Sequence, residues 1–310
     1  MEREAQELLA KHFAPTPLVR ATSLDLAERT VYLKVESGLP TGSFKVRGAV
    51  YALSKHVERH GAGPVLAAST GNHGAAVAYA GRLLNVPVTI FLPEGANPVK
   101  TQRILDLGAR IVAVGNDLSA AIDAAYAEAE RTGAFFLHDA TDPDIPAGTA
   151  TIGTEIVTQL PTTDVIFVPM GDTALVRGVA SAAKLLKPSI RIVGVAAGNA
   201  PAYYLSWRGG EAVSTETANT IADGLAVRRA LAANVTAISV LVDDVRLVEE
   251  DELLAAMAHL MTREGVTAEP AAAAATAALM KDSETTGAIV SLVTGCNVAP
   301  EVMERIGTRA

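Results

Sequence analysis

From Thr30 onward, short β-branched runs alternate with longer stretches of helical pattern, the arrangement of βα units that feed a mostly parallel sheet. This alternation constrains the fold more than any other feature, because parallel strands require long crossovers and bury both faces under helices. The runs that read as strands are Thr30–Glu36, Pro64–Ser69, Pro87–Leu92, Arg110–Gly115, Phe135–His138, Asp164–Pro169, Arg191–Ala197, Ala237–Asp243 and Gly287–Val293. They would overfill one small sheet, and 310 residues exceed the usual span of a single core, so two lobes around a cleft are expected. The chain is 49% hydrophobic but only 4% aromatic, which implies a core of Ala, Val, Leu and Ile suited to that α/β class. Helix starts are read at Ser43 before Phe44, at Asn97 before Pro98 and at the acidic turn Glu249–Glu252. Apart from the Ala271–Ala275 run, no low-complexity tract, repeat or linker divides the chain, so the lobes must be interwoven.

A net charge of -8 with Lys and Arg scattered disfavours nucleic acid as a partner. Residues Met1–Arg20 carry four charged residues before Leu8 and no apolar core, so neither a signal nor a transit peptide is read there. No stretch approaches a membrane span. A single cysteine, Cys296, rules out an intramolecular disulfide and fits a reducing compartment, so a soluble cytoplasmic protein is expected.

Three strand-to-helix turns concentrate the chemistry. In Leu39–Gly48, Lys45 falls in the first turn of a helix, with Ser43 read as its N-cap. The positive helix end and burial beside Phe44 would favour a neutral amine able to attack an aldehyde; the bland alternative is a surface lysine. In Ser69–Gly74, the backbone N–H groups of Ser69, Thr70, Gly71, Asn72 and His73 could bind a carboxylate or phosphate, although Thr70 or Asn72 could equally be a plain helix cap. In Pro169–Leu175 a phosphate could rest on backbone amides and the Thr173 hydroxyl. Here Gly171 is the only glycine, and Asp172 would repel an anion unless it caps the next helix. Val293–Asn297 is a small-residue turn at a strand end. His56 and His60 share i, i+4 spacing, but Val57 replaces the glutamate of a zinc-protease motif and no third ligand follows, so a solvated helix face is expected. G-x-G-x-x-G, the Gly-Lys-Ser/Thr phosphate loop and G-x-S-x-G are all missing.

In this order, and together with Pro15–Leu18, Thr41–Lys45, Thr70–Gly74, Lys100–Ala109, Ala222–Gly224 and Ala268–Pro270, these segments resemble the threonine/serine dehydratase and serine racemase group of fold-type II pyridoxal-phosphate enzymes. The resemblance covers nearly the whole chain. It implies two interwoven lobes like those of the tryptophan synthase β chain, each a mostly parallel twisted sheet with helices on both faces. Residues 57–141 would form the small lobe, and 1–56 with 142–310 the large cofactor-binding lobe. It further implies pyridoxal 5'-phosphate on Lys45 as a Schiff base, Phe44 beside the ring and Asn72 on the phenolic oxygen. Gly171, Asp172, Thr173, Ala174 and Leu175 would lie at the phosphate, Gly224 and Glu269 near the ring, and Thr294 on the pyridine nitrogen. Ser69, Thr70, Gly71, Asn72 and His73 would take the carboxylate of a small amino-acid substrate, and the protein would be a homodimer. A hydroxyl at Thr294 holds a ring proton poorly, which weakens the electron sink and suits early loss of a β-substituent.

The expected activity is therefore an ammonia-lyase reaction on threonine, serine or a related β-hydroxy amino acid, with Lys45 taking the Cα proton. Amino-acid racemization is the closest rival, because Thr70 matches the position where serine racemases carry a second-face acid/base. A β-replacement synthase and an idle binding protein are further alternatives. The chain departs from the group where four glycines become Gly171–Ala174, and where Ala-Gly-Gln-Gly-Thr becomes Ala147–Thr151. Ala196 and Ala202 stand where metal-activated members carry acids, so no metal is expected. Only 13 residues follow Asn297, so the regulatory domain of biosynthetic threonine dehydratases is not expected.

Overall fold

The structure is a computed structural model that describes residues 2–307, and it divides into two compact units. One is Lys45–Gly148 with the N-terminal helix; the other is Phe13–Phe44 with the chain from Thr149 onward. In chain order the elements are α1 (Glu2–Leu9), β1 (Leu18–Arg20), β2 (Arg29–Val35), α2 (Lys45–His60), β3 (Val65–Ala68), α3 (Asn72–Leu84), β4 (Val88–Leu92) and α4 (Pro98–Asp106). They continue with β5 (Arg110–Ala113), α5 (Leu118–Thr132), β6 (Phe135–Phe136), α6 (Ile145–Gln159), β7 (Val165–Pro169), α7 (Ala174–Leu186), β8 (Arg191–Ala197) and α8 (Ala202–Gly209). The last are α9 (Ala232–Leu241), β9 (Asp244–Val248), α10 (Glu250–Arg263), α11 (Pro270–Lys281), β10 (Gly287–Val293) and α12 (Pro300–Gly307).

The first unit holds a four-stranded parallel sheet of order β5-β4-β3-β6. Its central strands carry Val65, Ala67, Ile90 and Leu92, all at most 1% exposed. The border expected at residue 57 falls inside α2, but the helix stays whole and packs within this unit. Lys55 Nζ reaches Glu4 of α1 at 2.6 Å, and Gly48 lies against Ile145. Asn97 caps α4 as read from the sequence, its side chain accepting from Val99 N at 2.9 Å.

The second unit holds a six-stranded sheet of order β1-β2-β10-β7-β8-β9, in which only the β1 edge is antiparallel. Helix α11 is buried on every side, with Ala272–Ala275 at 0% exposure; its methyl groups let it lie close to the sheet in one core with Val165, Phe167, Val193 and Ile289. Glu249 and Glu252 form the capping box that opens α10. A polar network is also buried here. Lys34, at 0% exposure on β2, donates to Glu155 Oε2 at 2.6 Å, Gln159 Oε1 at 2.9 Å and the Thr16 carbonyl at 2.8 Å.

Eight of the expected strands form within a few residues of their places. Ala237–Asp243 does not: most of it is helix α9, and the strand that joins β8 is Asp244–Val248, one step later. The buried residues Asn234, Val235, Ile238 and Val242 recur at helical spacing while Val240 is 77% exposed, so packing overrides the β-branched run. Strand β1 was not foreseen; it is three residues long with a half-exposed pattern. Among the described residues, no helix is long and apolar enough to cross a membrane.

Candidate active site

In the first unit the turn between β3 and α3 is built around close backbone approach. A Cβ at Gly74 would meet the Ser69 carbonyl oxygen at 2.7 Å, and Gly71 N–H donates to Ser69 Oγ at 3.2 Å. Gly71 is the N-cap residue of α3, so neither Thr70 nor Asn72 is the cap that the plain reading assumed. Ser69, Thr70, Gly71 and Asn72 are half-buried around the helix start, where N–H groups lack intrahelical partners. The His73 ring is turned inward: it is 4% exposed and its Nε2 donates to the Leu137 carbonyl at 3.0 Å. Its backbone, rather than its imidazole, is what it offers a ligand.

Lys45 is the first residue of α2. Ser43 does not cap that helix: it bridges to Gly295, and its Oγ is buried without a hydrogen-bond partner. The neutral amine expected from the helix end is also opposed, because Lys45 Nζ lies 2.8 Å from Asp139 Oδ2, with side chains 14% and 25% exposed. Burial pushes the Asp139 carboxyl up, but Lys45, His73 and His138 together draw it far below the usual carboxylate range. An adjacent carboxylate favours the ammonium. Asp139 escaped the sequence reading because it lies 94 residues from Lys45, in the turn after the two-residue strand β6, and no spacing rule ties the two.

The second unit gathers the remaining expected residues through successive contacts. A Cβ at Gly171 would lie 2.2 Å from the Gly224 carbonyl oxygen, and one at Gly224 would meet Ala271 Cβ at 3.1 Å, in the first turn of α11 after Glu269. Glu269 N–H donates to the Gly295 carbonyl at 3.0 Å, and Phe44 N–H donates to the Thr294 carbonyl at 2.9 Å. Phe44, Gly171–Leu175, Gly224, Glu269 and Thr294 are thus brought together, with Glu269 and Thr294 buried.

In the atypical loop, Asp172 turns its Oδ1 back to the Ala174 N–H at 2.9 Å, which realises the capping role. Thr173 takes the left-handed conformation, φ 76°, at the N-cap of α7. Two residues that the sequence reading missed support this turn. Arg177 Nε donates to Thr173 Oγ1 at 3.1 Å, and Asn234 Nδ2 donates to the Asp172 carbonyl at 3.2 Å and to Tyr203 Oη at 3.1 Å. Burial lowers the pKa of Arg177, opposed by Asp172 and Tyr203. The i, i+4 step from Thr173 to Arg177 was the one available signal.

The helix face expected to be solvated is so at His60, which is exposed, but His56 is half-buried and stacks on Phe135 with centroids 3.8 Å apart. Among the described residues, no group of three or more His, Cys, Asp or Glu could hold a metal ion.

Each unit by itself carries features that suit part of a phosphorylated aldehyde. The Gly171 backbone is bare where a Cβ would strike Gly224, Asp172 is committed to its own helix, and an amine stands at a helix start in a half-buried place. Comparison with known proteins agrees. Residues 9–295 match the family model described as pyridoxal-phosphate dependent enzyme. An L-threonine ammonia-lyase of Thermotoga maritima is 35% identical over 306 residues, 98% of this chain and 76% of that protein. The catabolic L-threonine dehydratase TdcB of Escherichia coli K12 is 34% identical over 278 residues, 89% of this chain and 84% of that one. The structure of maize serine racemase matches with a TM-score of 0.91 at 30% identity, covering 99% and 95% of the two chains. The chain belongs to the family of pyridoxal-phosphate dependent enzymes, and pyridoxal phosphate is its cofactor.

Proposed function

We infer that this chain is a pyridoxal-phosphate-dependent ammonia-lyase that converts a small β-hydroxy amino acid, such as threonine or serine, to a 2-oxo acid and ammonia. The observation that carries this reading is the 35% identity, over 98% of the chain, to an L-threonine ammonia-lyase. The bound cofactor supplies a carbonyl that receives amines and a conjugated ring that spreads negative charge away from Cα. Lys45 is the residue that would hold it, with Phe44, Asn72, Gly224, Glu269 and Thr294 about the ring and Gly171–Leu175 at the phosphate. The turn Ser69–His73, at the start of α3, binds and orients the substrate carboxylate; Ser69 N–H is given to the Phe91 carbonyl and Gly71 N–H to Ser69 Oγ, so Thr70, Asn72 and His73 supply the backbone donors. The Lys45 amine takes the Cα proton, and departure of the β-hydroxyl follows. Thr294 offers a hydroxyl where a carboxylate would keep a ring nitrogen protonated, so charge at Cα is short-lived and elimination outruns reprotonation.

A panel of L- and D-amino acids assayed for 2-oxo acid, ammonia and inversion tests this. Release of 2-oxo acid from L-threonine or L-serine is expected, and Lys45→Ala should abolish it together with the borohydride-reducible cofactor adduct. Thr70 favours a second reading, amino-acid racemization, since a hydroxyl in that turn could protonate the far face of Cα. In that case wild type interconverts enantiomers faster than it releases ammonia, and Thr70→Ala loses inversion alone. The protein would act as a homodimer, which light scattering would reveal, in a reducing cytoplasm that keeps Cys296 out of any disulfide. Activity should persist in a chelator, because Ala196 and Ala202 offer no oxygen ligand.

A further inference from the structure

Asp139 takes no part in the steps above, yet it is the carboxylate placed at the reactive amine. Its Oδ2 lies 2.8 Å from Lys45 Nζ, and both side chains are mostly withdrawn from water. The other titratable groups facing the pair cannot stand in for Lys45. His138 Nδ1 is 3.6 Å from Asp139 Oδ1, beyond hydrogen-bond reach, and is engaged by the Ala140 N–H at 3.1 Å. His73, from α3, spends its Nε2 proton on the Leu137 carbonyl. Asp142, in the same turn, is an acid whose own carboxyl is pushed up by burial. Asp139 therefore depends on the lysine for its charge-assisted hydrogen bond, and the lysine nitrogen is held toward it in return.

Resting on the reading that Lys45 holds the cofactor, we propose that Asp139 is a positioning residue for Lys45: its carboxylate aims Nζ and stabilises the positive charge that this nitrogen carries, both when joined to the cofactor and when, released, it has taken the Cα proton. Without the carboxylate the nitrogen would be a weaker base and would wander.

The experiment compares wild type, Asp139→Asn and Asp139→Glu as reconstituted holoenzymes, following the absorbance of the bound cofactor against pH. Removing an opposite charge at this range should lower the pH of the cofactor's acid–base transition by about one to two units in the Asn variant. Glu, which keeps the charge one methylene farther out, should return it most of the way. The pH profile of kcat should move in the same sense, with kcat down about tenfold or more and KM changed far less. A transition unmoved in the Asn variant overturns the proposal. If that variant does not fold, Asp139→Ser is read in its place, with the same shift expected and the same unmoved transition against it. Borohydride trapping and mass spectrometry separate the two failures: an adduct on a lysine other than Lys45 sinks the functional reading and this proposal together, whereas an adduct on Lys45 with an unmoved transition sinks this proposal alone.

Discussion

Thr173 stands at φ 76° with its hydroxyl accepting from Arg177 Nε at 3.1 Å, so a β-branched residue is held in a backbone conformation that glycine adopts freely. The left-handed region costs an L-residue about 1–2 kcal/mol, and the hydrogen bond offsets part of that. Thr173→Val keeps the strain and removes the acceptor, and should lower stability by about 1 kcal/mol or more. Thr173→Gly loses the same bond but releases the strain, and should unfold in urea at a higher midpoint than the Val variant. A Gly variant less stable than Val would contradict this account of the loop.

The contact between Gly171 and Gly224 predicts a graded loss. Gly171→Ala places a methyl group 2.2 Å from a backbone oxygen, so the turn must shift. Gly224→Ala meets only the Ala271 methyl, at 3.1 Å. Cofactor affinity, followed by fluorescence, should fall about tenfold or more for the first and by a few-fold for the second, on the order of 1.4 kcal/mol separating each decade. The reverse ranking would remove Gly171 from the phosphate turn.

The ion pair at Lys45 also gives a stability difference with a definite sign. Asp139 has a folded-state pKa below its unfolded value, so its contribution is present above the ordinary aspartate pKa and is lost as pH falls from there toward the folded value. Asp139→Asn should therefore be less stable than wild type near pH 7, by about 1–2 kcal/mol, and the gap should narrow below about pH 4. Urea titrations at both pH values check this; a gap that widens in acid would contradict it.

His56 makes a different pH prediction. Burial first, then His60 and Arg59, lower its pKa, so the folded state resists protonating it. For a base with a depressed folded pKa, stability rises with pH through the window between the folded value and about 6.5. His56→Phe retains a ring against Phe135 and should flatten that slope between about pH 5 and 7. An equal slope in wild type and variant would show that other groups carry it.

Strand placement was readable because β7, β8 and β10 are runs of Val, Ile and Ala bounded by turn residues, and such runs have few other ways to bury both faces. Lys45 and the turn at α3 were readable for a related reason: each sits where a strand or turn hands the chain to a helix. Helix α9 was not, since two β-branched runs follow one another and only pairing with β8 decides which becomes the strand. Ser43 has the ideal composition for a cap, but the bridge to Gly295 claims its backbone and leaves its hydroxyl aside. Asp139 lies beyond any motif. Its role comes from side-chain reach, which sequence spacing encodes only when both partners belong to one helix, as Thr173 and Arg177 do.

The burial of Lys34 bears on chemoselectivity. An aldehyde cofactor meeting this chain in solution could in principle condense with any primary amine, and Lys34 lies only a short stretch before the motif that contains Lys45. Enclosed at 0% exposure and held by Glu155, Gln159 and the Thr16 carbonyl, it offers no path of approach. Lys45, at 14% side-chain exposure with the Asp139 carboxylate at 2.8 Å, is less enclosed. Two lysines eleven positions apart are thus sorted by solvation rather than by intrinsic reactivity, one spent on the scaffold and the other left available for covalent chemistry.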